Sequence, residues 1–196
     1  MPLLARLEDA VAEACRLKNQ FVAEHGGAVV AAARMLAECL HAGGKVMLFG
    51  NGGSAADAQH LAAEFVNRFQ VERPPLAAIA LTTDTSILTA IANDYDFLEV
   101  FAKQVQALGR PGDVAVGIST SGASGNVVRG LAEARRLGLK TLALSGREGG
   151  AVAAQVDVAL TVRSRNTPRI QEVHITIGHV LCDLVDFLLF PEKFEE

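Results

Sequence analysis

The sequence has no tryptophan, a single tyrosine and only 5% aromatic residues. Its three cysteines, Cys15, Cys39 and Cys182, are widely separated and form no C-x-x-C pair. An odd, scattered set argues against a disulfide framework and suits reduced, buried thiols. No dense cluster of lysine and arginine occurs and the formal net charge is -4, so no electrostatic grip on nucleic acid is expected. No uninterrupted apolar run approaches the roughly 20 residues of a membrane span. The opening MPLLARLEDAVAEACRLK mixes charges into its apolar positions, unlike a signal peptide. Linkers, repeats and low-complexity segments are also missing. The expectation is a cytoplasmic protein that binds neither membrane nor nucleic acid, folded as one domain over residues 1–196.

What the chain does have is glycine (18) and an apolar half, in 196 residues. That is enough for one sizeable core. Residues 3–22 and 26–42 carry apolar side chains at helical spacing and read as two amphipathic helices, the second ended by Gly43-Gly44. The rhythm then changes. KVMLF (45–49), LAAIAL (76–81), DVAVGI (113–118), LKTLALS (139–145) and DVALTV (157–162) are short, continuously apolar runs. Helical patterns follow near 53–67, 85–92, 96–108, 124–136 and 149–155. A last helix spans 168–190, with Thr167 as N-cap and Pro168 at its first position. Apolar strands alternating with helices predict an α/β fold: a five-stranded, parallel, doubly wound sheet behind two N-terminal helices. Such sheets bind ligands beyond the carboxyl ends of their strands.

Two loops fall at that edge. The first strand runs into Gly50-Asn51-Gly52-Gly53-Ser54, where glycines permit a sharp turn and a helix start attracts an anion. Gly50, Gly52 and Ala55 could be forced into a dinucleotide fingerprint. The acidic residue this requires at the end of the second strand is missing, since the first candidate, Asp84, comes too late. A plain strand-to-helix turn explains the glycines but leaves Asn51 and Ser54 unexplained. The third strand runs into Ser119-Thr120-Ser121-Gly122-Ala123-Ser124. An N-cap role for Ser124 accounts for one of these four hydroxyls. A phosphate cradle without Lys or Arg accounts for all of them.

Two helices add titratable groups. His60 and Glu64 are i,i+4 and share a helix face, a spacing that suits a metal pair, an acid–base pair or a surface hydrogen bond. In the last helix Gln171 and His179 lie about 80° apart around the axis, and His174 falls about 60° to the other side of Gln171. Spacing alone does not choose between His174 and His179.

The stretches GNGGSAADAQHLAAE (50–64), LTTDTSILTAIAND (81–94), GISTSGASGNV (117–127) and RIQEVHITIGHVLCDLV (169–185) resemble, in order and spacing, the sugar isomerase (SIS) family. The likeness runs over nearly the whole chain. Within the family it is greatest to the branch that converts sedoheptulose 7-phosphate to D-glycero-D-manno-heptose 7-phosphate through an enediol, for heptose and lipopolysaccharide precursors. The resemblance implies one Zn2+ per subunit, held by His60, Glu64, Gln171 and His179, with Glu64 and His179 catalytic. It implies a sugar-phosphate site made of Asn51, Gly52, Gly53, Ser54, Glu64, Asn93, Asp94, Ser119, Thr120, Ser121, Ser124 and Gln171. It leaves His174 a packing residue. It also implies a homotetramer, with segment 1–43 taking part in assembly. Some relatives carry an acidic residue just before Arg-Ile-Gln, where this chain has Pro168.

A second branch is a non-enzymatic scaffold that binds the bacterial replication initiator. VNRFQVERP, LTAIAND and LCDLVDFLLFP resemble it. That branch lacks the first-motif glutamate and the second histidine of the last motif, whereas this chain has both Glu64 and His179. A sugar isomerase or sugar-binding regulator for another phosphosugar would share the hydroxyl loop, and only the metal quartet favours heptose.

Overall fold

The computed structural model describes residues 2–194, so Met1, Glu195 and Glu196 lie outside the described residues. Strands β1 (Val46–Gly50), β2 (Ala78–Ala80), β3 (Val114–Ser119), β4 (Lys140–Gly146) and β5 (Val158–Val162) form one parallel sheet in the order β2-β1-β3-β4-β5. Val46 pairs with Ala78 on one side and Val114 on the other, and Ser119 pairs with Ser145. The direction of winding reverses between β1 and β3, where a sheet of this order opens a crevice at its carboxyl edge. β2 is shorter than its apolar run suggests, because as an edge strand only its three central residues find partners on β1.

Alternation along each strand divides the core. Val46, Leu48, Val114, Val116, Leu142 and Leu144 face α1 (Leu3–His41), α2 (Gly53–Val66) and α7 (Thr167–Leu189). Met47, Phe49, Ala115 and Ala143 face α4 (Val100–Leu108), α5 (Gly125–Arg136) and the short α6 (Gly150–Ala153), with α3 (Thr85–Asp94) at the margin. Both faces are covered, which is why these strands are apolar throughout rather than alternating.

The two expected N-terminal helical segments are both helical and run together as one 39-residue helix. Gly26 and Gly27 each cost about 1 kcal/mol relative to alanine in a helix. Buried anchors on either side, Leu17 and Phe21 before them and Val29, Ala32, Ala33 and Leu36 after, hold the helix through the pair. At the start of α7 the expected cap moves by one residue. Asn166 is the N-cap and Thr167 opens the helix, with Pro168 still in its first turn. The Asn166 side chain is drawn away to Glu13 of α1, 3.0 Å from its amide nitrogen. All three cysteines are free thiols. Cys39 and Cys182 are buried as expected, but Cys15 is exposed on the outer side of α1.

Candidate active site

β1 leads into α2 through Gly52, whose positive φ of 57° suits glycine and turns the chain sharply into the helix. Asn51 is fixed by a reciprocal amide pair with Asn126 on α5, 2.8 Å in each direction. This pair joins the loop after β1 to the loop after β3, across the crevice where the winding reverses. Asn126 is 3% exposed, and its role depends on a partner 75 positions away, so sequence reading did not single it out. Ser54 is buried at the base of the loop.

The loop after β3 gathers its hydroxyls as expected. Ser119 Oγ lies 2.9 Å from Ser124 Oγ and 3.3 Å from Ser121 Oγ, and Ser121 Oγ accepts from the Ala123 amide. Ser124 occupies the N-cap position of α5, yet its side chain makes no capping bond and turns to Ser119 instead. The capping explanation therefore fails even for the one hydroxyl it covered. Thr120 is half-buried between Ser119 and Ser121. Asn93 and Asp94 end α3, exposed, with the Asn93 amide donating to the Asp94 carboxylate at 2.9 Å. Asp84, discounted as a ribose ligand, caps α3 by accepting from the Ile87 amide.

The titratable groups converge where α2 crosses α7. His60 Nε2 stands 2.9 Å from His179 Nε2 and 3.3 Å from Glu64 Oε1. The ligand atoms of His60, Glu64 and His179 all lie within 4.8 Å of one another. Zinc with bonds of about 2.0–2.1 Å in a tetrahedron keeps its ligand atoms roughly 3.3 Å apart, so this geometry fits such an ion. Phe69 stacks on the His179 ring, with centroids 5.4 Å apart. Gln171, two turns before His179, lays its amide against the first residue of α2. A Cβ on Gly53 would overlap that amide, so the second glycine of the Gly52-Gly53 pair makes room for Gln171.

Two further side chains show what spacing left open. His174 is 1% exposed and bonded through Nε2 to the Ser145 carbonyl at 3.0 Å. Burial pushes its pKa down to about 4, so it is a neutral packing residue, apart from the converging trio. Asp57, one turn before His60, has a buried carboxylate oxygen without a hydrogen-bond partner. Burial raises its pKa and the nearby His60 opposes the shift. A lone aspartate on a helix gives no signal in sequence; its unmet acceptor appears only in the folded chain.

A doubly wound parallel sheet with a hydroxyl-lined loop at its carboxyl edge defines an α/β domain suited to a phosphorylated small molecule. The SIS domain family model matches residues 11–146, and the chain belongs to that family. Its relatives are narrower in kind. It is 52% identical over 190 residues to the phosphoheptose isomerase of Thermodesulfovibrio yellowstonii, covering 97% of this chain and 94% of that one. It is 60% identical over 185 residues to that of Solidesulfovibrio magneticus, covering 94% and 90%. The phosphoheptose isomerase structure from Neisseria gonorrhoeae superposes with a TM-score of 0.89 at 48% identity, covering 94% and 99% of the two chains. That from Francisella tularensis gives 0.91 at 41%, covering 95% and 99%.

Proposed function

We infer that the protein is an intramolecular ketose–aldose isomerase acting on sedoheptulose 7-phosphate, as its phosphoheptose isomerase relatives are named for. The observation that carries this reading is the meeting of Glu64 and His179, brought from different helices to a common point with His60. The scaffold alternative finds no support among the relatives described above, and this chain has both groups which that branch lacks.

In the reaction, a base takes a proton from C1 of the ketose, the enediol forms, and a proton returns to C2 while the carbonyl moves to C1. Glu64 is the group for the carbon-bound proton, and His179 moves the proton between the two oxygens. The hydroxyls of Ser119, Thr120, Ser121 and Ser124, with the start of α5, hold the phosphate as neutral donors. Asn51, Gly52, Gly53, Ser54, Asn93, Asp94 and Gln171 complete the sugar contacts. Zn2+ held by His60, Glu64, Gln171 and His179 would supply a Lewis acid against the sugar oxygens. The product would serve as a heptose precursor for lipopolysaccharide, made in the cytoplasm. Among the described residues no helix is long and apolar enough to cross a membrane.

The domain is proposed to extend over residues 1–196 and to assemble as a homotetramer in which neighbours complete each site. Leu3, Leu4, Leu7 and Val11 support this, since they lie exposed along the first turns of α1. Exposed Asn93 and Asp94 do as well, since they pair only with one another within the chain as described.

The test is turnover of sedoheptulose 7-phosphate by zinc-loaded protein, with the aldose followed by NMR and Glu64→Gln alongside. Aldose formation that falls by about 10³-fold in the variant fits the reading. No aldose from the native protein removes it.

A further inference from the structure

Arg73 lies in the irregular segment between α2 and β2, a place where arginines usually reach solvent. Here its side chain is 0% exposed. Its guanidinium donors are spent on two helices at once. Nη2 donates to the Glu64 carbonyl at 2.9 Å, and Nη1 donates to the carbonyls of Phe65 (2.7 Å), Asn67 (3.3 Å) and Pro74 (3.2 Å). Nε donates to Asp186 Oδ1 on α7 at 2.9 Å. The carbonyls of Glu64 and Phe65 belong to the last turn of α2, where a helix leaves its acceptors without internal partners. A cation there also complements the negative end of the helix dipole.

The placement of the two anchor points matters more than the number of bonds. Glu64 is the residue whose side chain faces His60 and His179, and the clamp holds its own backbone. Asp186 is seven residues beyond His179, two turns along nearly the same face of α7. One planar fork thus connects the backbone of Glu64 to the helix that carries His179. Stability is a poor explanation for such a pair. A buried ion pair pays heavy desolvation, and an apolar replacement is often as stable or more so. The second oxygen of Asp186 is buried without any partner, which adds to that cost.

We propose that Arg73 and Asp186 are positioning residues, which set the alignment of α2 against α7 and so the placement of Glu64 relative to His60 and His179. The proposal rests on the function inferred above for its kinetic consequence, but not for its structural one. Lysine at 73 keeps the charge toward Asp186 and loses the fork to the helix carbonyls.

The experiment compares Arg73→Lys and Asp186→Asn with the native enzyme in three readouts: thermal melting, kcat and KM on sedoheptulose 7-phosphate, and affinity for Zn2+ alone by competition with a fluorescent chelator. Arg73→Lys is expected to stay folded, lose about tenfold or more in kcat with little change in KM, and bind zinc about tenfold more weakly. Asp186→Asn, which keeps the shape and one acceptor, is expected to move both values in the same direction by a smaller factor. Folded Arg73→Lys with kcat and zinc affinity within about twofold of native overturns the proposal, whatever its melting temperature. If Arg73→Lys does not fold, Asp186→Asn decides by the same criterion. If native protein gives no turnover while the variants still lose zinc affinity, the functional reading fails and the positioning role stands.

Discussion

Replacing Gly178 with alanine probes how closely the two site helices are set. A Cβ at this position would stand 2.6 and 2.7 Å from the Leu61 methyl groups and 3.1 Å from its Cγ. Carbon atoms in contact sit about 3.5–4.0 Å apart, so something must give by roughly 1 Å. Leu61 is 3% exposed and enclosed by the core, which leaves its side chain little room to turn aside. Gly178 precedes His179 and Leu61 follows His60, so the added methyl bears on the helix contact that sets two rings whose nitrogens are 2.9 Å apart. Overpacking of this kind costs about 1–3 kcal/mol. Alanine recovers about 1 kcal/mol of helix propensity over glycine. The net loss is therefore about 0–2 kcal/mol, a few degrees in melting temperature for a chain of this size. A misplacement of about 1 Å at a reacting group costs on the order of 10²-fold in rate. The expected result of steady-state assays with sedoheptulose 7-phosphate is a folded Gly178→Ala protein with kcat reduced about 10²-fold. Adding Leu61→Val, which frees volume at the contact, should return part of it. A folded Gly178→Ala enzyme at native kcat would refute the reasoning, because the helix crossing would then have slack.

Gly53→Ala should displace the Gln171 amide and weaken Zn2+ binding by about tenfold with little loss of stability; unchanged affinity in a chelator competition would remove Gln171 from the ligand set. For His174 the sign follows from a folded pKa near 4 against an ordinary 6.5. The unfolded chain takes up a proton first as pH falls, so the stability held by the neutral ring is complete above pH 6.5 and lost by pH 4. That loss amounts to about 3 kcal/mol. Urea midpoints measured across this range should flatten in His174→Gln, and parallel curves for the two proteins would contradict the assignment. Leu7→Glu with Val11→Glu should convert the assembly to smaller species in sedimentation, although such exposed changes shift the stability of a lone chain by only about 0.5 kcal/mol. A native protein that sediments as a monomer would contradict the proposed tetramer.

The layering of the fold could be read from sequence because buried parallel strands carry an unmistakable pattern. VMLFG and VAVGIS are apolar on both faces, and each leads directly into the loop that follows it. Local chemistry misled where distant contacts outweighed it. The apolar spacing reads as two helices, 3–22 and 26–42, but packing of α1 against α7 and β5 carries one helix through. Thr167 before Pro168 reads as a cap, yet the helix begins one residue earlier.

The site divided in the same way. His60 and Glu64 share a face by spacing alone, and the hydroxyls after β3 cluster by adjacency. The choice of His179 over His174 came from the family resemblance and not from spacing, which does not encode the burial that sets His174 apart. Asn126, Asp57 and Arg73 stayed hidden for a related reason. Each is an ordinary polar residue until a partner far along the chain, or the lack of one, defines it.

The central claim is that this protein moves a carbonyl between C2 and C1 of a heptose phosphate by proton transfer through Glu64. The measurement that tests it most directly is NMR of sedoheptulose 7-phosphate incubated with zinc-loaded protein in D2O. The account predicts aldose 7-phosphate carrying some solvent deuterium at C2, from exchange on Glu64 during the lifetime of the enediol, with formation slowed about 10³-fold in Glu64→Gln. Absence of aldose, or aldose formed as fast by Glu64→Gln, would contradict it.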